Sequence, residues 1–430
     1  MNIIQIIPGS GGSFYCGNCL RDSKYVIALR DQGYQVTKLP MYLPLFADEH
    51  DLTDIPVFYG AISLYLKLKF PFLRKAPAWF DRLMNSKPML KFAAGMAGRT
   101  RASGLEEMTI SMLLGEKGLQ KEELEKMVDW IAGHCQPDVI HISNALLIGL
   151  AKRLKERLDV LIACSLQDED TWVEPMKPEF REKIWELMHE RAEDVDAFIS
   201  VSEYYAGYMR EHMQLPAEKI HTVQLGVDPA DYQVRPVLEK NRNIGFISRM
   251  SHANGLDILV DAFLELKSQP GFEDVTLTLT GGHTGDDVKY IRRLKKKIKR
   301  SCCEDKVIYH DDFDGPGRME FFNRVSIVSV PLREGYASGL FSLEAMASGI
   351  PVVQPAVGAF PEIIEATGGG ITYSPNDPAT LAAALAGLLN DPAQLEKLSV
   401  AARKGIEKNF DIHQKADRMI EVFRKSGAQH

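Results

Sequence analysis

The stretch Val330-Pro-Leu-Arg-Glu334-Gly-Tyr-Ala-Ser338-Gly-Leu-Phe-Ser-Leu-Glu344-Ala-Met-Ala-Ser-Gly349-Ile-Pro-Val-Val353 decides the fold class. The apolar run Ile327–Val330 predicts a buried strand that ends at Pro331, a residue with no N–H to give to a ladder. A polar loop carrying Glu334 follows, then a helical pattern over Leu340–Ser348 and a strand at Pro351–Val353. Strands alternating with helices mean a parallel sheet covered on both faces.

The same alternation extends in both directions. Upstream in the C-terminal half lie the strand Asn243–Ile247, the helix Gly255–Lys267, the strand Val275–Leu279 and the helix Asp287–Arg300. In the N-terminal half the strand Ile3–Ile7 leads through the tight loop Gly9–Ser13 to a helix over Leu20–Gln32, closed by Gly33, and a strand at Tyr34–Leu39. Asp138–Ile142 is a further strand, followed by the helix Leu147–Leu158, and Val160–Cys164 and Ala197–Val201 are short buried strands. The two halves join near residues 225–240, where Pro229 and Pro236 mark a hinge-like connection. A chain of 430 residues accommodates two domains of about 200.

Composition narrows the function classes. With 45% hydrophobic and 25% charged residues the chain is an average globular protein, and its net charge of −7 carries no nucleic-acid signature. The N-terminus MNIIQIIPGS lacks a basic leader region, and no apolar stretch reaches about 20 residues, so cytoplasmic residence is expected. Of the six cysteines, Cys135 and Cys164 read as small core residues, and Cys302 and Cys303 are adjacent. Cys16-Gly-Asn-Cys19 has a spacing that carries chemistry, but no second pair exists to complete a zinc site. A redox pair at a helix start is the sharper alternative to a plain turn, and the plain turn is favoured.

Residues 44–115 break the alternation and read as an insertion. Between Tyr65 and Arg101 nine Lys/Arg stand against the single acid Asp81, with six aromatics interleaved. That segment is a candidate for peripheral contact with the inner membrane surface. Pro71, Pro77 and Pro88 interrupt any long amphipathic helix, which favours an insertion packed on the N-terminal domain. Lys289–Arg300, with eight Lys/Arg in twelve residues, reads as a solvated helix face over a stripe of Ile291, Leu294 and Ile298.

The chemistry concentrates in the opening stretch. Ser338 is a candidate N-cap, and the free N–H groups of Gly339, Leu340 and Phe341 would point from the carboxyl edge of a parallel sheet, a site suited to a pyrophosphate. Glu344, one turn inside the helix, is placed to accept from ribose hydroxyls, and Glu334 on the loop from a sugar ring. Carboxylates flanking a diphosphate site suit a ligand that also brings hydroxyls, and a nucleotide sugar does.

These residues resemble family 4 (group 1) retaining glycosyltransferases, whose pattern runs Glu-Gly through Glu-Ala-Met-Ala-x-Gly-x-Pro-Val-Val. The resemblance extends over most of the chain: Phe198–Ser202 with Gly226-Val-Asp228, Phe246–Arg249 with Gly255–Phe263, Gly358-Ala-Phe-Pro-Glu362 and Gly370 to Asp377 follow the family's order. It implies an α/β GT-B fold, two Rossmann-like domains facing each other across a cleft. Residues 1–228 would form the acceptor domain, 229–408 the donor domain, and 409–430 a C-terminal helix, Ile412–Lys425 in its body, crossing back to the first. It implies a hexosyltransferase-type reaction with retention, a nucleotide sugar as donor, a glycan, lipid or small-molecule acceptor, and neither metal nor other cofactor. Arg249 would hold the leaving diphosphate, with His252 nearby as a second candidate. Glu334, Phe360 and Glu362 would position the sugar, and Glu344 the ribose. Gly11 and Gly12 match the family's glycine loop facing the donor phosphates.

Three departures stand out. Glu334 and Glu344 are ten positions apart where the family has eight, and Asn254 replaces a family lysine in the donor segment. Ser165-Leu-Gln-Asp168 occupies the place of an expected N-domain histidine, leaving His141 as the nearest substitute catalytic group or else a satisfied histidine on its strand. Asn254 and the missing histidine are the support for the alternative, a catalytically degenerate sugar-nucleotide or glycan binder. A dinucleotide oxidoreductase is disfavoured, because Gly9-x-Gly11-Gly12 is not the dinucleotide fingerprint and Thr37–Pro40 ends its strand without an acid. Asp168-Glu-Asp170 reads as an N-cap cluster before Trp172.

Overall fold

A computed structural model describes residues 1–8, 17–41, 58, 104–313 and 315–428. The basic, aromatic segment 65–101, Gly11, Gly12 and Cys16 lie outside the described residues, as does the side chain of Cys19. The chain divides into two compact units. One comprises Asn18–Gln224 with the first strand and Lys415–His430, and the other is dominated by Leu225–Gln414.

The N-terminal unit holds a six-stranded sheet in the order β2-β1-β3-β4-β5-β6, all parallel. Its strands are β1 (Asn2–Ile7), β2 (Gln35–Pro40), β3 (Val139–Ile142), β4 (Leu161–Leu166), β5 (Ala197–Ser200) and β6 (Ile220–Thr222). Every residue of β3, β4 and β5 is buried, as expected for strands covered on both faces. The helix Ile412–Gly427 contributes Ala416, Met419, Ile420 and Phe423 to buried positions.

The C-terminal unit has the order β12-β11-β10-β7-β8-β9, again all parallel, with β7 (Asn243–Ile247), β8 (Thr276–Thr280), β9 (Val307–Tyr309), β10 (Ile327–Val328), β11 (Val352–Pro355) and β12 (Gly370–Tyr373). Counted from β7, this is the doubly wound order 3-2-1-4-5-6. The winding direction reverses between β7 and β10, and ligands of such sheets bind outside the carboxyl ends at that reversal.

Two elements differ from the sequence expectation. The strand expected to reach Val330 stops at Val328, because the Val330 N–H turns to the side-chain oxygen of Gln354 at 3.0 Å. The helix expected from Leu147 is a 3-10 turn over Ala145–Leu150 that becomes α-helical at Ala151. Asn144 accepts the Leu146 N–H at 3.1 Å and starts it. Three strands had no sequence expectation, β6, β9 and β12, and all three are short sheet edges.

Candidate functional site

The switch between β7 and β10 brings two loops together. The chain leaves β7 through Ser248 and Arg249, and leaves β10 through Pro331, Leu332 and Arg333. Gly255 lets them touch. Its φ is +68°, and a Cβ placed there would lie 1.8 Å from the Pro331 carbonyl oxygen. The Arg333 N–H also donates to the Ala253 carbonyl at 3.1 Å, which ties the loops by backbone.

Beyond Glu334 the chain enters the helix Leu340–Ala347. Its cap position is Gly339, in left-handed conformation at φ +67°, one residue later than the expected Ser338. Ser338 is therefore not the cap. Its hydroxyl is buried and has no hydrogen-bond partner among the described residues. Gly339 O accepts the N–H groups of Ser342 and Leu343 at 2.9 and 3.3 Å. The N–H groups of Gly339, Leu340 and Phe341 donate to no backbone acceptor among the described residues. Unspent N–H groups at a helix start, beside an unspent hydroxyl, make a site for an anion with several oxygens.

Glu334 is exposed, and its carboxylate makes no hydrogen bond or ion pair among the described residues. Glu344 is different. It is 2% exposed, and its Oε1 accepts the Tyr232 hydroxyl at 2.8 Å and lies 3.3 Å from Arg318 Nε. Burial, and then the Glu344 charge, push the Tyr232 phenol well above its usual range, so it stays a donor. The expected outward-turned carboxylate is thus a buried partner of Arg318 in this structure, and the reason is a cation on the helix Gly315–Arg324 that the local pattern does not show.

Arg249 is also engaged. It forms a two-pronged pair with Asp287, at 2.9 and 3.2 Å, and reaches Thr284 Oγ1 at 2.9 Å. Burial acts to raise the Asp287 carboxyl, but the hydrogen bonds from Arg249 and Thr284 outweigh it and hold the carboxyl below its ordinary range. Asn254 turns inward, its amide donating to Ser248 Oγ at 2.8 Å and to the Arg249 carbonyl at 3.0 Å. It braces the turn that presents Arg249 instead of pointing to a ligand. His252 is exposed, with Nε2 3.8 Å from Asp257.

Phe360 is 1% exposed and packs its ring 5.8 Å from that of Phe341. The expected sugar-facing ring is therefore a core residue beneath the helix start. Glu362 stands in the first turn of the helix Phe360–Thr367, partly exposed. The Ala359 N–H donates to the Tyr336 carbonyl at 3.0 Å, which fixes the 358–360 loop against the stretch between the two glutamates.

In the N-terminal unit His141 lies inside β3, 1% exposed. Its Nδ1 pairs with Gln5 Oε1 and its Nε2 with Ser165 Oγ, each at 2.8 Å. Burial and the nearby Arg21 charge lower its pKa to about 3. With both nitrogens occupied in the sheet, His141 is a satisfied interior histidine and not an available proton carrier, which corrects its candidacy. In the 168–170 cluster, expected as an N-cap, Asp168 holds the cap position of the helix Glu169–Val173 but makes no side-chain cap bond, and Glu169 instead ties neighbouring backbone together. Its carboxylate accepts the Ala145 N–H at 2.8 Å, the Gln167 N–H at 2.7 Å and the Tyr205 hydroxyl at 2.8 Å. Burial outweighs those bonds and raises its pKa to about 7.

Among the described residues no three His, Cys, Asp or Glu side chains group to hold a metal. No helix among them is long and apolar enough to cross a membrane. Arg333 carries no motif of its own and was not expected at the site. Its Nε donates to the His252 carbonyl at 3.1 Å and its Nη2 to Asp257 Oδ2 at 2.6 Å.

Comparison with known proteins agrees with this architecture. The family model described as "Glycosyl transferases group 1" matches residues 241–391, and that described as "Glycosyltransferase Family 4" matches residues 115–231. The lipopolysaccharide core biosynthesis mannosyltransferase LpsB of Rhizobium meliloti is 27% identical over 247 residues, 53% of this chain and 65% of that protein. A D-inositol 3-phosphate glycosyltransferase of Xylanimonas cellulosilytica is 26% identical over 224 residues, 49% of this chain and 52% of that protein. The matches thus span between about half and two-thirds of these relatives' length. Among solved structures, HepE of Anabaena in complex with UDP superposes with a TM-score of 0.68 at 16% identity, covering 99% of this chain and 100% of that one. Sucrose-phosphate synthase from Thermosynechococcus elongatus superposes with a TM-score of 0.71 at 16% identity, covering 100% of both chains. At that identity the likeness is one of fold, the two-domain GT-B architecture.

Proposed function

This chain belongs to the group 1 (family 4) glycosyltransferases, and we propose that it transfers a hexosyl group from a nucleoside diphosphate sugar to an acceptor hydroxyl with retention of configuration. The observation that carries this reading is the start of the helix Leu340–Ala347, where three backbone N–H groups and the buried Ser338 hydroxyl stand unspent at the reversal between β7 and β10. A diphosphate satisfies all of them, and the exposed Glu334 beside them suits the hydroxyls of the attached sugar.

In the proposed reaction the bond from the anomeric carbon to the β-phosphate oxygen breaks. A bond from the acceptor oxygen forms on the same face, and the acceptor proton passes to the departing phosphate. Arg249 and the helix start carry the leaving-group charge, so the reaction calls on no metal. The UDP bound by HepE supports a nucleotide sugar donor, and the mannosyl and glycosyl transfers named for the relatives support transfer of a sugar. The test is a thermal-shift screen of UDP-, GDP- and ADP-sugars, followed by slow donor hydrolysis for each hit and determination of the anomer released. Stabilisation by none of them would overturn the proposal, and saturable binding without turnover would favour a binder.

A further inference from the structure

The geometry points to Arg333 as a second cation for the diphosphate, a contact that rests on the function proposed above. Arg333 leaves the carboxyl end of β10 and stands six residues before Gly339, on the loop that runs into the anion-binding helix start. Its strand neighbour is β7, whose own loop presents Arg249, so the two arginines follow the two strands that border the reversal.

The two cations differ in what they have left to give. Arg249 is gripped by both carboxylate oxygens of Asp287 and by Thr284. Arg333 spends Nε on a carbonyl and one nitrogen on Asp257, while Nη1 makes no hydrogen bond among the described residues. It is also exposed. Asp257 is in turn fixed by the Tyr290 hydroxyl, which donates to Oδ1 at 2.8 Å and accepts the Asp257 N–H at 2.8 Å. Asp257 thus orients the guanidinium without enclosing it. An Arg held at two of its nitrogens, with a third open, is suited to meeting a phosphate oxygen in fixed geometry.

A purely structural Arg333 would serve only to pin the 331–334 loop to Asp257, and a mutant cycle separates the two roles. Affinity for UDP, GDP, ADP and inorganic pyrophosphate is measured by titration calorimetry for the full chain and for Arg333→Gln, Asp257→Asn and the double variant. Contact with phosphate requires that Arg333→Gln and the double variant lose about 10- to 100-fold for the diphosphate that binds. Asp257→Asn, which keeps an oxygen to accept from Arg333 Nη2, should lose far less than Arg333→Gln. If Asp257→Asn weakens binding as much as Arg333→Gln, the arginine acts through the ion pair and the contact is refuted. Unchanged affinity in Arg333→Gln refutes it as well, while leaving the donor site intact. Failure of the parent chain to bind any of the four probes sinks the proposed function together with this contact.

Discussion

Glu344→Ala is expected to destabilise the C-terminal unit before it says anything about catalysis. Glu344 is 2% exposed and Arg318 8%, so the pair sits away from water. Removing the carboxylate takes from Arg318 the counter-charge at 3.3 Å, and from Tyr232 the acceptor of its buried hydroxyl at 2.8 Å. Breaking one side of a buried pair costs about 3–5 kcal/mol, against about 1 kcal/mol for an ordinary hydrogen bond. For a unit of this size that lowers Tm by roughly 10 °C. Removing both charges together, as Glu344→Ala with Arg318→Met, should cost less than the sum of the two single changes. The assay is urea unfolding of the four members of the cycle, followed by circular dichroism and Tyr fluorescence. A Glu344→Ala cost under about 1 kcal/mol, or a double variant no better than the sum of the singles, would refute the pairing.

Gly255→Ala should cost several kcal/mol or prevent folding of the site, because its φ of +68° and a Cβ 1.8 Å from the Pro331 oxygen cannot both be relieved without parting the two loops; thermal denaturation reads this directly. His141 binds its proton at pH about 6.5 when unfolded and about 3 when folded, so it adds stability above pH 6.5 that is lost as pH falls toward 3. His141→Gln should flatten that part of the stability profile and leave the pH dependence of donor turnover unchanged, whereas a shifted turnover profile would restore the histidine as a proton carrier. Glu169 has the opposite sign. Its pKa rises from 4.5 to about 7 on folding, so the stability it adds is complete below pH 4.5 and is lost as pH rises through 7. Glu169→Gln should remove that loss, as chemical denaturation between pH 5 and 8 would show.

Much of the fold was legible because parallel strands covered on both faces leave unbroken apolar runs. Asn243–Ile247 is an unmistakable case, and observed ends elsewhere differ by a residue or two. The edge strands β6, β9 and β12 were not, since half-exposed runs such as Ile220-His-Thr222 and Gly370-Ile-Thr-Tyr373 carry no such pattern. The helices that begin at Pro378 and Pro392 were not among the expected elements either, although Asp377 and Asp391 caps ahead of a first-turn proline mark their starts. The helix start at Gly339–Phe341 was legible from a local motif. What Glu344 and Arg249 touch was not, because Tyr232 lies 112 residues from Glu344 and Asp287 lies 38 from Arg249. Arg333 was invisible for the same reason: its value comes from the β7–β10 pairing, which no local pattern encodes.

The location of the donor diphosphate is the claim on which the rest depends. Amide hydrogen exchange of the full chain, with and without the nucleotide sugar that gives the largest thermal shift, tests it directly. The account expects slowed exchange at Gly339, Leu340 and Phe341, whose N–H groups would become donors to phosphate, and little change across β3 around His141. Unchanged exchange at those three amides in a ligand-saturated sample would contradict it.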